Sequence, residues 1–278
     1  MQINLDHTIN SGQVFLWEKV GGKWYGVNGS DVLSIDQNDP KTIRSYQKLD
    51  YDLFRENDNF AGVIKKISRD STIKHAIMKF PGLRLMRQDP FQCYISFIVS
   101  SNSSIQNIRH TLQKISKKFG RKVTFDDKEF HLFPEPKKLA ISTKHELLSC
   151  GLGYRTEFVK KATMDVVDNK IDFDYLKKAN YNTAKKSLLE IFGIGNKVAD
   201  CIMLFSLEKL EAFPLDRWIV RSLQEYYPER FPFEGKTLTD KKYQTLHDLA
   251  VNHFGPYAGY SQQFLFKLIR ETNQKKWL

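Results

Sequence analysis

Lys197 and Asp216 are charges in an otherwise apolar stretch, "IFGIGNKVADCIMLFSLEKLEAFPLDRWIV" (191–220). The lysine opens an apolar run directly after Gly193-Ile194-Gly195, and the aspartate follows a second turn that contains a proline. Glycines let a chain turn with positive φ and bring its backbone close to a ligand. A helix that starts after such a turn points unpaired N–H groups outward, where a phosphate binds. Asp216 is also a good N-cap type for the helix that would follow it. Spacing alone leaves two readings open. The segment is either a helix-turn-helix packing corner with a solvated lysine and a capping aspartate, or a site that holds a phosphate and sets two charges beside it.

Composition narrows the class of partner. The chain of 278 residues suits one large domain or two smaller ones, and 41% hydrophobic with 27% charged residues suits a soluble globular protein. No apolar run approaches the ~20 residues that span a bilayer, and the N-terminus has no charged-then-apolar signal pattern, so an intracellular location is expected. The net charge is +11, with −3 over residues 1–60 and +14 over the rest, a balance that suits a polyanion as well as a solvated basic surface. Cys93, Cys150 and Cys201 form no CxxC spacing, which argues against both a disulfide framework and a zinc site.

The elements that must position the two charges follow from periodicity. Residues 1–60 read as short strands, with "GQVFLWEKV" and "KWYGVNGS" joined at Gly21–Gly22 as a hairpin and "VLSID" after them. Helical periodicity begins near residue 61. One helix is predicted over 63–80, one or two over 90–120 interrupted by the polar patch 100–104, and one from Ser142-Thr143 to Cys150. A Lys-rich helix over 157–168 and a short pair over 172–192 lead to the Gly-x-Gly turn. Two more helices follow, then a last one over about 256–274. The fold class is therefore α+β, a small N-terminal antiparallel sheet followed by a two-lobed helical body.

"FGIGNKVAD" followed by "FPLD" resembles the helix-hairpin-helix, Gly/Pro-Asp superfamily of DNA base-excision glycosylases, and a lysine at position 197 resembles its strand-nicking members. The absence of any cysteine beyond Cys201 sets the chain apart from the members with a C-terminal iron–sulfur cluster. "SGQVFLW" (11–17), "DPFQCYISFIVSSNSSI" (89–105), "GLGYR" (151–155) and "GPYAGYSQQFLF" (255–266) resemble, in order, segments of the 8-oxoguanine DNA glycosylase/AP-lyase family. The resemblance runs nearly end to end. It implies an N-terminal β domain over 1–85 and a helix-hairpin-helix glycosylase domain over 86–278, with the hairpin at about 188–200.

The resemblance also implies roles. Lys197 would attack C1′ of the damaged nucleotide and form a Schiff base, and Asp216 would stabilise the charge that develops on the sugar. Gly12 would accept a hydrogen bond from N7–H of 8-oxoguanine, a donor that guanine lacks. Cys201 and Phe266 would press on the two faces of the extruded base, and Gln262 would read its Watson–Crick edge. Asn102 would fill the vacated space, Tyr154 would wedge beside the estranged base and Arg155 would read that base. Gly193, Gly195 and Val198 would hold DNA phosphate, and the carbonyls of Leu189, Ile191 and Ile194 a monovalent cation. His253 is assigned no role.

The implied partner is double-stranded DNA containing 8-oxoguanine, with no membrane, a monomeric protein and no cofactor. Three positions depart from the family pattern. Asn107 stands where a second cytosine-reading arginine is usual, Leu16 where arginine is usual, and Trp218 where histidine is common. Two alternatives stay open: a glycosylase of the same fold acting on another lesion, and a non-catalytic helix-hairpin-helix DNA-binding module.

Overall fold

In the computed structural model the structure describes residues 3–233 and 237–274. A short helix α1 (Leu5–Ile9) precedes strands β1 (Trp17–Val20), β2 (Lys23–Asn28), β3 (Asp31–Asp36) and β4 (Ile43–Ser45), which form an antiparallel sheet in that order. The β1–β2 turn is Gly21-Gly22, both at positive φ (56° and 84°), the mirror-image turn that matches strand twist. Alternation along β2 and β3 splits their side chains between two cores. Trp24, Leu33 and Ile35 pack with Leu5, Ile9, Phe54 and Met86, while Tyr25, Val27 and Val32 join the large core shared with the helices.

Helices α2 (Phe60–Ile67) and α3 (Ser71–Lys79) replace the single helix expected over 63–80. Asp70 breaks it, because its carboxylate caps Ile73 N–H at 2.9 Å and starts a new helix. Next come α4 (Pro90–Val99) and α5 (Ile105–Phe119), divided at the polar patch as expected. A two-stranded hairpin, β5 (Lys122–Phe125) and β6 (Lys128–His131), interrupts the helical body and was not foreseen. Its turn residues Asp126 and Asp127 both hold positive φ (50° and 56°), which "VTFDDKEFH" signals only weakly because Asp tolerates that region less well than Gly.

The body continues with α6 (Pro136–Ala140), α7 (Lys144–Ser149), α8 (Arg155–Val167), α9 (Phe173–Lys178), α10 (Tyr181–Leu189) and α11 (Asn196–Ser206). It ends with α12 (Arg217–Tyr226), α13 (Asp240–Phe254) and α14 (Ala258–Gln274). The expected cap at Thr143 is a reciprocal capping box with Glu146. Helix α4 is apolar on all faces and buried from Phe91 to Val99, so it acts as the axle of the body and packs against α5, α8 and α11. Buried Arg55, with Arg87, pairs with Glu208 just beyond α11 and ties the segment after the sheet to that helix. Among the described residues no helix is long and apolar enough to cross a membrane.

Candidate active site

Lys197 is the second residue of α11, whose N-cap is Gly195. Only Gly193 uses positive φ (88°), and a Cβ there would lie 2.5 Å from the Phe158 ring. Gly195 has φ −96° and open space around it, so the expectation that both glycines serve the turn through positive φ holds for the first alone. The N–H groups of Asn196, Lys197 and Val198 open the helix and have no intrahelical acceptor. The Val198 side chain itself is buried, so only its backbone can meet a ligand.

Helix α4 supplies the floor beneath the lysine. Lys197 Nζ donates to Ser100 Oγ (3.1 Å) and lies 5.3 Å from the centre of the Phe97 ring. Asp216 is the N-cap of α12, its Oδ1 accepting Ile219 N–H at 2.8 Å. Burial raises the Asp216 carboxyl above the usual carboxylate range, opposed by the nearby Lys197 charge and the capping N–H groups. Cys201, one turn after Lys197, has its thiol pushed up to about 12 by burial, so at neutral pH it presents a neutral, apolar face.

These residues sit where two cavities meet. A small one of about 40 Å³ is lined by Gly12, Phe97, Cys201, Gln262 and Phe266, with Lys197 and Asp216 at its mouth. A large cleft of about 810 Å³ is lined by Lys197 and Asp216 together with Ser100 to Ser103, Arg217, Trp218 and Arg221. The small cavity is far below the ~300 Å³ of ordinary ligand pockets. Phe266 closes it, because its Cε1 lies 2.8 Å from the point where a Cβ on Gly12 would stand.

The Gly12 loop is riveted by side-chain amides. Fully buried Gln13 donates to the carbonyls of Thr8 (3.1 Å) and Arg84 (2.8 Å) and accepts Met86 N–H (2.7 Å). Gln263 donates to Ser11 O at 2.8 Å across the whole length of the chain. Gly12 has φ +82°, a value that favours glycine. Gln262 donates to Pro214 O (3.2 Å), which leaves its buried Oε1 without a partner and lining the small cavity. An unpaired buried acceptor costs about 1–3 kcal/mol unless something donates to it.

Asn102, Tyr154 and Arg155 come from loops distant in sequence and meet at the edge of the cleft. Arg155 Nε donates to Ser101 O (2.7 Å), its NH2 to Asn102 O (2.9 Å), and Tyr154 OH to Ser101 O (3.3 Å). Arg155 also stacks over the Tyr154 ring at 4.5 Å, and Tyr154 is 57% exposed. Asn102 is exposed and at φ +49°, a strained setting that Asn tolerates. Asn107 is exposed near the start of α5. His253 lies apart from these cavities, bonded to Asp70 at 2.8 Å and to Arg230 at 2.6 Å.

Residues 1–94 match the family model described as 8-oxoguanine DNA glycosylase, N-terminal domain. A solved structure of the Clostridium acetobutylicum 8-oxoguanine glycosylase/lyase, in complex with double-stranded DNA containing cytosine opposite 8-oxoG, superposes with a TM-score of 0.86. It is 28% identical, over 98% of this chain and 93% of that one. The chain is thus similar, along nearly its whole length, to 8-oxoguanine DNA glycosylase/lyases. A probable N-glycosylase/DNA lyase of Methanothermobacter thermautotrophicus is 29% identical over 84% of this chain and 76% of its own length. The N-glycosylase/DNA lyase OGG1 of Arabidopsis thaliana is 28% identical over 95% of this chain and 77% of its own length.

Family resemblance does not name the groups that hold the two charges in register. Tyr243 OH accepts Leu215 N–H (3.1 Å), the residue before Asp216, and donates to Asp200 Oδ2 on α11. Fully buried Asp200 also accepts from Tyr181 OH (2.6 Å) and pairs with Lys185 (3.3 Å). One phenol therefore joins the helix that carries Lys197 to the turn that carries Asp216. The "VAD" of the hairpin hints at Asp200, but nothing in sequence pairs it with position 243. Tyr243→Phe is expected to cost about 1–3 kcal/mol by leaving a buried N–H without its acceptor and a buried carboxylate one donor short. Urea denaturation measures it, and an unchanged midpoint would refute the role.

Proposed function

We propose that this protein is a bifunctional DNA glycosylase/AP lyase that excises 8-oxoguanine from duplex DNA. The observation that carries the reading is the junction itself. A lysine and a raised-pKa aspartate stand at the mouth of a closed pocket lined by Gly12, whose carbonyl suits N7–H of an oxidised guanine, and by Gln262, whose unpaired Oε1 suits its Watson–Crick edge. Guanine has a lone pair at N7, which repels a carbonyl. A DNA substrate places the protein in the compartment that holds the genome.

The large cleft takes the duplex, with phosphate on the N–H groups that open α11. Extruding a base costs a few kcal/mol of stacking and pairing. Asn102 and Tyr154 offset this by occupying the gap, held in place by Arg155. The base then displaces the Phe266 ring and lies between it and Cys201. The Lys197 amine, in neutral form, attacks C1′ while the bond to the base breaks, and the base leaves with the electron pair and takes up a proton from water. Asp216, ionised, stabilises the positive charge on the sugar. The amine then passes a proton to O4′ as the C1′–O4′ bond breaks, which opens the sugar ring and leaves an iminium between C1′ and the lysine nitrogen. Removal of a C2′ proton then expels the 3′ phosphate by β-elimination. None of these steps requires a metal or organic cofactor.

Of the hairpin carbonyls suited to a monovalent cation, that of Ile191 already accepts Ile194 N–H (3.1 Å) and keeps a second lone pair, with those of Leu189 and Ile194 in the same turn. The same reading divides the chain into a β domain over 1–85 and a glycosylase domain over 86–278.

Borohydride trapping tests the function. A covalent adduct with a duplex containing 8-oxoguanine supports it, whereas an adduct only with a different lesion points to another substrate of the same chemistry. Opposite-base choice gives a second expectation. Arg155 is the arginine this reading assigns to the partner base, since position 107 is an asparagine too short for bidentate contact. Losing one bidentate contact removes about 1–3 kcal/mol of discrimination. Excision rates opposite cytosine, adenine, guanine and thymine are expected to fall within roughly tenfold of one another. A strong preference for cytosine would sink that expectation.

A further inference from the structure

Behind Phe266 lies a second polar cavity of about 260 Å³ that the mechanism above does not use. It shares Ser11, Gly12 and Phe266 with the small pocket, and its other walls include Ile105 and the guanidiniums of Arg109 and Arg270. Lys267 and Glu271, also at its edge, neutralise each other at 3.0 Å. The arginines have no such pairing among the described residues. Arg109 Nε is buried without an acceptor, and Arg270 stands over the Phe266 ring at 5.3 Å. Burial lowers the pKa of both guanidiniums; at Arg270 the Asp216 charge opposes this and the Arg109 charge adds to it. A desolvated guanidinium with an unfilled donor, as at Arg109, is costly unless an acceptor arrives with the ligand.

The chemistry of the proposed lesion says which acceptor that is. In 8-oxoguanine the extra oxygen is bonded to C8, the neighbour of N7. A base that donates N7–H to Gly12 O therefore presents that oxygen on the edge where Gly12 also borders the second cavity. Guanine has a C–H there, which accepts nothing. Entry of the base must move Phe266, the side chain that stands between the two cavities at Gly12, and this joins them into one.

We propose that Arg109, with Arg270 behind it, is a specificity-determining group that donates hydrogen bonds to the C8 oxygen of the extruded purine. The inference deepens the 8-oxoguanine reading and rests on it. It gives the enzyme a direct test of the lesion's own oxygen beside the test of N7–H at Gly12.

The experiment compares wild type, Arg109→Met and Arg109→Lys in the full-length protein. Three quantities are measured: single-turnover release of 8-oxoguanine, incision at a preformed abasic site, and affinity for undamaged duplex as a function of salt. A charge-assisted hydrogen bond lost from the base predicts a fall of about ten- to a hundredfold in base release for Arg109→Met. Abasic incision, which has no base to read, is expected to stay within about twofold. Arg109→Lys keeps a charge and most of the bulk, so it should recover part of the rate and carries the test if the Met variant folds poorly.

On the substrate side, 8-thioguanine keeps N7–H but offers a weakly accepting sulfur. Its excision by wild type should be slower than that of 8-oxoguanine, and the difference should shrink in Arg109→Met. Unchanged base release overturns the proposal, as does an equal loss in base release and abasic incision. Weaker binding of undamaged duplex with a salt slope reduced by about one marks Arg109 as a phosphate contact and overturns it too. A wild-type protein that releases no 8-oxoguanine overturns the underlying function, which separates that failure from these.

Discussion

Lys197→Gln is expected to abolish borohydride trapping and to lower excision of 8-oxoguanine by about three orders of magnitude or more, while affinity for the damaged duplex changes little. Among the described residues no other lysine lines either the small pocket or the large cleft. Glutamine keeps a side-chain donor for Ser100 Oγ and most of the methylene packing, which confines the loss to the covalent step. Three orders of magnitude correspond to about 4 kcal/mol of barrier, the scale expected for a lost nucleophile rather than a lost contact. Adding Asp216→Asn to this variant is expected to cost little more, since groups that act on one step do not add. Gel detection of the adduct and single-turnover rates decide the matter, and a Gln variant that still traps would move the nucleophile elsewhere.

Asp216→Asn is expected to lower excision by about 10²- to 10⁴-fold and at the same time to raise the melting temperature at neutral pH. Asparagine caps a helix as well as aspartate, so Ile219 N–H keeps its acceptor and α12 its start. The stability gain follows from the direction of the pKa shift. Burial raises the folded-state pKa above that of the unfolded chain, so Asp216 favours the fold fully below the unfolded value near ~3.9. That contribution is lost as pH rises through the higher folded value, and the ionised group weighs against the fold at pH 7. The advantage of the Asn variant therefore grows with rising pH across that window. In wild type the acid limb of the excision profile should lie above the ordinary carboxylate range, because the ionised form does the work. Melting curves and rate profiles across pH read both effects. A destabilised Asn variant would show that the carboxylate is held by more favourable contacts than its cap.

Much of the site was legible from local sequence because its parts are locally encoded. A glycine turn followed by a helix start fixes where Lys197 emerges, and an aspartate after a proline turn reads as a cap. Thr143 with Glu146, and Gly21 with Gly22, likewise announce their elements within four residues. The single helix expected over 63–80 failed for the converse reason. Its apolar periodicity runs on through a break made by one carboxylate, Asp70, whose capping bond outweighs the pattern. The β5–β6 hairpin was missed because two aspartates fill a turn that usually announces itself with Gly or Asn.

Residue types and spacing thus located Lys197 after its glycine turn, Asp216 at its helix cap, the hairpin and the α+β architecture, since each depends on turns, caps and periodicities within a few residues. The roles expected of the two charges came from the resemblance of whole segments. Only the tertiary structure decided what surrounds them. Ser100 reaches Lys197 from 97 positions away, Gln263 holds the carbonyl of Ser11 across 252, and Tyr243 links Asp200 to the backbone beside Asp216. The closure of the pocket by Phe266 over Gly12, and the meeting of Arg109 with Arg270 behind it, belong to the same class. Such contacts arise from packing helices around α4, and a hydrogen bond between distant segments leaves no period or spacing in the chain to reveal it.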